Sequence, residues 1–175
     1  MDWISVGVEG TKNVDFDIKG IGYNHVNTLK LTQYIICVDL ILESIHQLYR
    51  VIKDIFKTEY IFKDTKHIFN KKISDESYFK HLRAIFGIHP VNLKSLDGIE
   101  EKNSDGKRYF SSWVAFAMSR EYDFEVSIYG NDVEEDNSEI IGISLEKINC
   151  FVRERYNLLN ELIVLVVAFE QETSN

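Results

Sequence analysis

The chain has 175 residues, of which 45% are hydrophobic and 27% are charged, and its formal net charge is −8. This length suits one hydrophobic core, and the composition excludes a chain that is disordered throughout. The negative charge disfavours a protein that binds nucleic acid over most of its surface. We therefore predict a single domain over residues 1–175.

The start of the chain and its two cysteines indicate a compartment. The first ten residues lack the basic start and apolar centre of a signal peptide, and charged residues interrupt the apolar runs downstream. Cys37 and Cys150 lie far apart, without the spacing of a zinc site. We expect a cytoplasmic protein with two reduced thiols, no metal, no cofactor and no membrane segment.

The first predicted element is a β-hairpin over residues 3–19. Apolar and polar residues alternate there on both sides of a Gly-Thr-Lys-Asn turn, which is typical of a hairpin with one buried face. The apolar positions on that face are Ile4, Val6, Val8, Val14, Phe16 and Ile18. The alternative is an irregular arm over residues 1–25 attached to a purely helical bundle.

Two long segments have apolar residues at the period of an α-helix, residues 27–57 and residues 144–171. Asn27 and Ser144 stand at their starts as expected N-caps. The apolar positions of the first are Tyr34, Val38, Ile41, Ile45, Leu48, Ile52 and Ile55. We expect the two long helices to pair.

A shorter helix is predicted over residues 74–89. Ser74 is its expected N-cap, and Asp75 and Glu76 favour the positive end of the helix dipole. Pro90 disfavours helical geometry at the residue before it, so the helix should end at position 89.

A second alternating pair of segments predicts a hairpin over residues 109–129, followed by an acidic loop. Since an isolated hairpin is only marginally stable, we expect the two hairpins to share one sheet. The predicted fold class is α+β. It is mainly a helical bundle of two long helices and one or two shorter ones, with two β-hairpins forming a small antiparallel sheet.

Glu43 and His46 form a Glu-x-x-His pair, a motif that occurs twice in di-iron helix bundles. The chain contains the pair once. The sequence therefore predicts no metal site, and we interpret these residues as part of a polar helix face.

Basic residues are concentrated in residues 50–83, which contain nine Lys or Arg and five acidic residues. One interpretation is a solvated face that aids solubility. The other is a cationic strip leading to Arg83, with Lys71, Lys72 and Lys80 as candidate contacts to nucleic acid.

Arg83 and His89, in the segment RAIFGIH, are separated by five residues. An arginine at a helix end, followed at this spacing by a histidine and placed between long helices, resembles the HEPN superfamily (higher eukaryotes and prokaryotes nucleotide-binding). The resemblance covers the architecture of residues 27–170 and these two motif residues. It implies a bundle that dimerises so that two copies of the motif meet in one cleft. It also implies a metal-independent ribonuclease of bacterial defence or stress, or a related module that binds without catalysis.

The chemistry of the pair fits this resemblance. A histidine can move the proton of a ribose hydroxyl near neutral pH, and a guanidinium can stabilise the charge that develops on phosphorus. Asp39 and Glu43, on the polar side of the first long helix, are candidates to orient Arg83.

Two other interpretations remain open. In the first, Arg83 and His89 merely end a helix: active members commonly have a polar residue where this chain has Ala84. A regular helix would also place the pair about 120° apart unless the backbone bends, as Gly87 permits. In the second, the chain is a non-catalytic dimeric module whose acidic segment, residues 121–139, binds a basic protein partner.

Overall fold

The computed structural model describes residues 2–16, 25–57, 65–88, 93–98, 106–114, 121–130 and 138–173. The helices are α1 (Trp3–Lys12), α2 (His25–Phe56), α3 (Asp75–Arg83) and α4 (Leu145–Thr173), and a π-helical segment (Ala84–Ile88) continues α3. The strands are β1 (Tyr109–Trp113), β2 (Phe124–Gly130) and β3 (Glu139–Ile143). The predicted α+β class, mainly helical with a small antiparallel sheet, is confirmed.

The N-terminal hairpin prediction is wrong, because residues 3–12 form α1. The side chain of Asp2 caps the helix by accepting hydrogen bonds from the backbone N–H groups of Ile4 and Ser5. Gly7 and Gly10 then let α1 approach α2 closely: a Cβ on Gly7 would lie 2.6 Å from Cγ1 of Ile41. The same apolar positions also fit one face of a helix that packs on α2 through Gly7 and Gly10.

Both long helices are confirmed, with small shifts at their starts. Asn27, predicted as an N-cap, lies buried inside α2, whereas Ser144 does cap α4 by accepting from the N–H of Lys147 at 3.4 Å. The two helices run parallel, since successive residues of α2 contact successive residues of α4 in the same order. These contacts join Tyr34 to Asn149, Tyr49 to Leu158 and Phe56 to Phe169.

The predicted hairpin over residues 109–129 is confirmed by antiparallel pairing of β1 with β2. The third strand of the sheet is β3, in the order β1-β2-β3. Sequence analysis placed the partner hairpin at residues 3–19 and missed β3, a five-residue strand just before α4.

The helices and the sheet enclose two adjoining apolar clusters. The larger one joins α2, α3, the sheet and the first half of α4, and includes the fully buried Phe79 and Phe151. The smaller one joins the second halves of α2 and α4 with α1. None of the described helices is both long enough and apolar enough to cross a membrane.

Candidate functional site

Arg83, the last residue of α3, contacts Asp39 on α2. The predicted motif helix over residues 74–89 begins as expected, with Ser74 accepting from the N–H of Ser77 at 3.2 Å, but its α-helical part ends at Arg83. Because α3 runs antiparallel to α2, this end lies beside the first half of α2. There Nη1 of Arg83 donates to both carboxylate oxygens of Asp39, at 2.7 Å each.

Among the described residues, the Arg83 guanidinium is bound by Asp39. Within the described ranges Arg83 donates through Nη1, and neither Nε nor Nη2 has a hydrogen-bond acceptor there. The side chain is 29% exposed, and these nitrogens are not among the buried unsatisfied atoms. Asp39 therefore holds the arginine at one nitrogen, and the partly exposed guanidinium keeps further N–H groups of the kind that donate to an anion.

The backbone departs from α-helical geometry directly after Arg83. Residues Ala84–Ile88 form a π-helical segment. This conformation is rare in proteins overall, and where it occurs it is often at a functional site. Two hydroxyls hold this segment: Thr32 of α2 donates to the carbonyl of Phe86 and Ser111 of β1 to that of Ile85, both at 3.1 Å. The bend that the sequence requires between positions 83 and 89 thus begins at Ala84.

His89 lies outside the described residues, as do Pro90 and the two residues after it. The prediction that Arg83 and His89 share one site, and that Pro90 ends the helix, therefore remains a prediction.

Two turns before Arg83, a second charged group joins α2 to α3. Nε2 of His46 lies 3.4 Å from one carboxylate oxygen of Glu76, and Nζ of Lys80 lies 2.8 Å from the other. The contact with His46, aided by the hydrogen bond from Lys80, lowers the pKa of Glu76 to about 2. We refer to Asp39, His46, Glu76, Lys80 and Arg83 as the α2–α3 polar row.

The three lysines predicted to contact nucleic acid do not share one face. Lys80 lies in the polar row with Arg83. Lys71 places its ammonium 5.1 Å from the ring centroid of Tyr78, which points to the other side of α3 from the row. Lys72 is exposed in the turn before α3, where its carbonyl accepts from Lys66 at 3.1 Å.

Glu43, the second candidate to orient Arg83, is half-buried one turn after Asp39 on α2. In the part of the chain that the structure describes, it forms no ion pair with Arg83. Among the described residues, the Glu43/His46 pair does not belong to any group of three or more potential metal ligands.

Sequence analysis identified Asp39 and Arg83 but missed three supporting residues. Glu76 was interpreted only as a favourable charge at the start of α3, yet it joins His46 to Lys80. Thr32 and Ser111 gave no signal, because each donates to a carbonyl distant in sequence.

The site combines a partly exposed arginine, anchored by Asp39, with a π-helical turn. Comparison of the chain with models of protein families, with curated proteins and with solved structures finds no match. The chemistry of the site is therefore the basis for a functional proposal.

Proposed function

We propose that this chain is a HEPN-like protein of the bacterial cytoplasm that binds RNA at Arg83 and cleaves it without a metal ion. The observation that supports this most directly is the contact between Asp39 and Arg83. It holds one terminal nitrogen of a guanidinium whose side chain is partly exposed. Such an arginine suits a phosphate group, which accepts hydrogen bonds from a planar fork of donors.

In this proposal each residue has one task. Asp39 orients Arg83, and Arg83 binds the phosphate and stabilises the charge that develops on it. His89 takes the proton of the ribose 2′-hydroxyl, the 2′-oxygen attacks phosphorus, and the bond to the 5′-oxygen breaks as that oxygen takes a proton from water. The products are a 2′,3′-cyclic phosphate and a free 5′-hydroxyl.

Lys80 extends the positive charge next to Arg83, although Glu76 balances part of it. Lys71 and Lys72 lie before α3, and an RNA bound at Arg83 would have to pass around the start of this helix to contact them. We propose Lys80 as the nearest additional phosphate contact.

The test is cleavage of single-stranded RNA by metal-free protein in the presence of a chelator. We expect cyclic-phosphate ends, activity that falls on either side of neutral pH, and no cleavage where the 2′-hydroxyl is replaced by hydrogen. His89→Ala should reduce the rate by roughly 10²–10⁴-fold, the usual effect of removing a general acid or base. Arg83→Lys should also reduce it, because an ammonium lacks the planar fork.

His67→Ala and Arg50→Lys are matched controls, since both residues are exposed and lie outside the site. These controls should retain the wild-type rate. Equal cleavage by wild type and His89→Ala would overturn the catalytic proposal. If the wild type binds RNA without cleaving it, and Arg83→Ala weakens this binding, the protein binds RNA but is not a ribonuclease.

A second candidate function is a non-catalytic dimeric module that binds a basic protein through the acidic segment 121–139. The exposed apolar side chains of α4, which include Ile163 and Val164, favour this candidate. Part of the acidic segment lies outside the described residues. Two results together would support it: the protein does not bind RNA, and it captures a basic peptide with an affinity that Glu121→Lys weakens.

A further inference from the structure

The second half of α4 carries apolar side chains that the rest of the chain does not cover. Tyr156, Ile163, Val164 and Val167 are 43%, 59%, 67% and 45% exposed. Residues 162–169 read LIVLVVAF, without one polar residue, yet only Leu162 among them is buried. A helix that is apolar on every side is normally covered on every side. In the described chain, the second half of α4 packs on one side only, against α2 and α1.

The exposed residues form a row suited to helix packing. Tyr156, Asn160, Ile163 and Val167 follow one another at steps of four, three and four, the spacing of a seam between two helices. The row is turned by roughly 120° from the side of α4 that is buried against the core. Its single polar member is Asn160, which is exposed.

We propose that this row binds the same row of a second copy of the chain, with the two α4 helices antiparallel. The charges at the ends of the row indicate this occupant and this direction. Arg153 lies exposed just before the row and Glu170 just after it. An antiparallel two-fold contact brings Arg153 of each copy to Glu170 of the other, whereas a parallel contact would bring like charges together.

This dimer keeps the two Arg83 sites apart. The second half of α4 packs beside Tyr49 and Phe56 of α2, several turns beyond Asp39. The arrangement therefore differs from the shared cleft that the HEPN resemblance implies, and it does not depend on the proposed RNA chemistry. Each protomer contains its own arginine site.

The test is sedimentation equilibrium of the full chain at micromolar concentration. We expect a mass twice that of the 20.4 kDa chain. Val167→Lys should raise the dissociation constant of the dimer about a hundredfold, because it places a charge in the apolar seam. Glu161→Lys is the matched control: it changes the charge of an exposed residue on another side of α4 and should leave the dimer intact.

A charge exchange tests the antiparallel direction. Arg153→Glu alone should weaken the dimer, and combining it with Glu170→Arg should restore it. Circular dichroism checks that every variant keeps its helix content. A wild-type mass of 20.4 kDa would overturn the proposal. So would a dimer that neither Val167→Lys nor Arg153→Glu weakens, while a dimer weakened only by Val167→Lys would overturn the antiparallel direction.

Discussion

Nε2 of His46 lies 3.4 Å from a carboxylate oxygen of Glu76, so that a histidine of α2 and an acid of α3 join the two helices. This contact is the main reason that the pKa of Glu76 falls to about 2 from its ordinary value of 4.5. A carboxyl group with a lowered pKa stabilises the folded state while it is ionised.

The first prediction follows from the pKa of Glu76. Its contribution should be fully present above pH 4.5, the ordinary value, and should be lost as the pH falls to about 2. The full shift corresponds to a free energy of unfolding on the order of 3 kcal/mol. Glu76→Gln should therefore destabilise the protein at neutral pH, and its difference from wild type should shrink in acid.

Urea denaturation at a series of pH values measures this difference. Glu9→Gln is the control, since Glu9 also pairs with a lysine on its own helix but the pair is exposed. It should have little effect at any pH. A Glu76→Gln difference that stays constant from neutral to acid pH would contradict the assignment.

The second prediction concerns the packing of α1 on α2. Gly7→Ala raises intrinsic helix propensity by about 1 kcal/mol, so at a loosely packed site it would stabilise α1. Here the added Cβ would lie 2.6 Å from Ile41 and 2.9 Å from the carbonyl oxygen of Cys37. We expect a net loss of about 1–3 kcal/mol in the free energy of unfolding, typical of overpacking.

Chemical denaturation gives the sign of this change directly. Val6→Ala, at an exposed position of the same helix, is the control for a small substitution in α1 and should cost much less. A Gly7→Ala variant more stable than wild type would show that α1 does not pack closely on α2.

Local patterns predicted the long helices, α3 and the β1–β2 hairpin, because their apolar periods are long or their turn signals strong. They failed at residues 3–12, where Ile4 and Val8 fit both a strand face and a helix face. The helix depends on the distant surface of α2, which accommodates Gly7, and on the cap from Asp2. Short-range alternation carries no information about either.

The third prediction concerns the hydroxyl of Thr32, which donates to the carbonyl of Phe86 across 54 positions of sequence. Thr32→Val keeps the shape of the side chain and removes this donor. The unfolding free energy should fall by about 1 kcal/mol, the usual contribution of such a hydrogen bond. Because the bond holds the π-helical segment, RNA binding or cleavage should fall as well.

Thr11→Val is the comparison for Thr32→Val, since the Thr11 hydroxyl donates within α1, to the carbonyl of Val8 at 2.8 Å. It should leave RNA activity unchanged. If both variants affect RNA activity equally, the π-helical segment does not position the site.

The candidate site was predictable in part for the same physical reason. Asp39 lies on the polar side of a strongly periodic helix, so its direction could be inferred, and Arg83 near the end of a capped helix could be placed as well. The π-helical turn after Arg83 could not, because its hydrogen bonds come from Thr32 and Ser111 in two other elements. Sequence periodicity gave only the requirement for a bend.

The last prediction is that Asp39 and Arg83 are energetically coupled. Asp39→Ala leaves a partly buried guanidinium without its carboxylate, and Arg83→Ala leaves the Asp39 carboxylate without its guanidinium. Each variant should therefore lower the free energy of unfolding by about 1–3 kcal/mol. The double variant should cost less than the sum of the two, since neither residue then lacks its partner. Denaturation of the four proteins measures this coupling, and RNA binding by the Asp39→Ala variant measures its functional side. If Asp39 only orients Arg83, Asp39→Ala should weaken binding while Asp39→Glu partly restores it. Additive stability losses would instead show that the contact contributes nothing to the fold, and unchanged RNA binding by Asp39→Ala would separate this acid from the site.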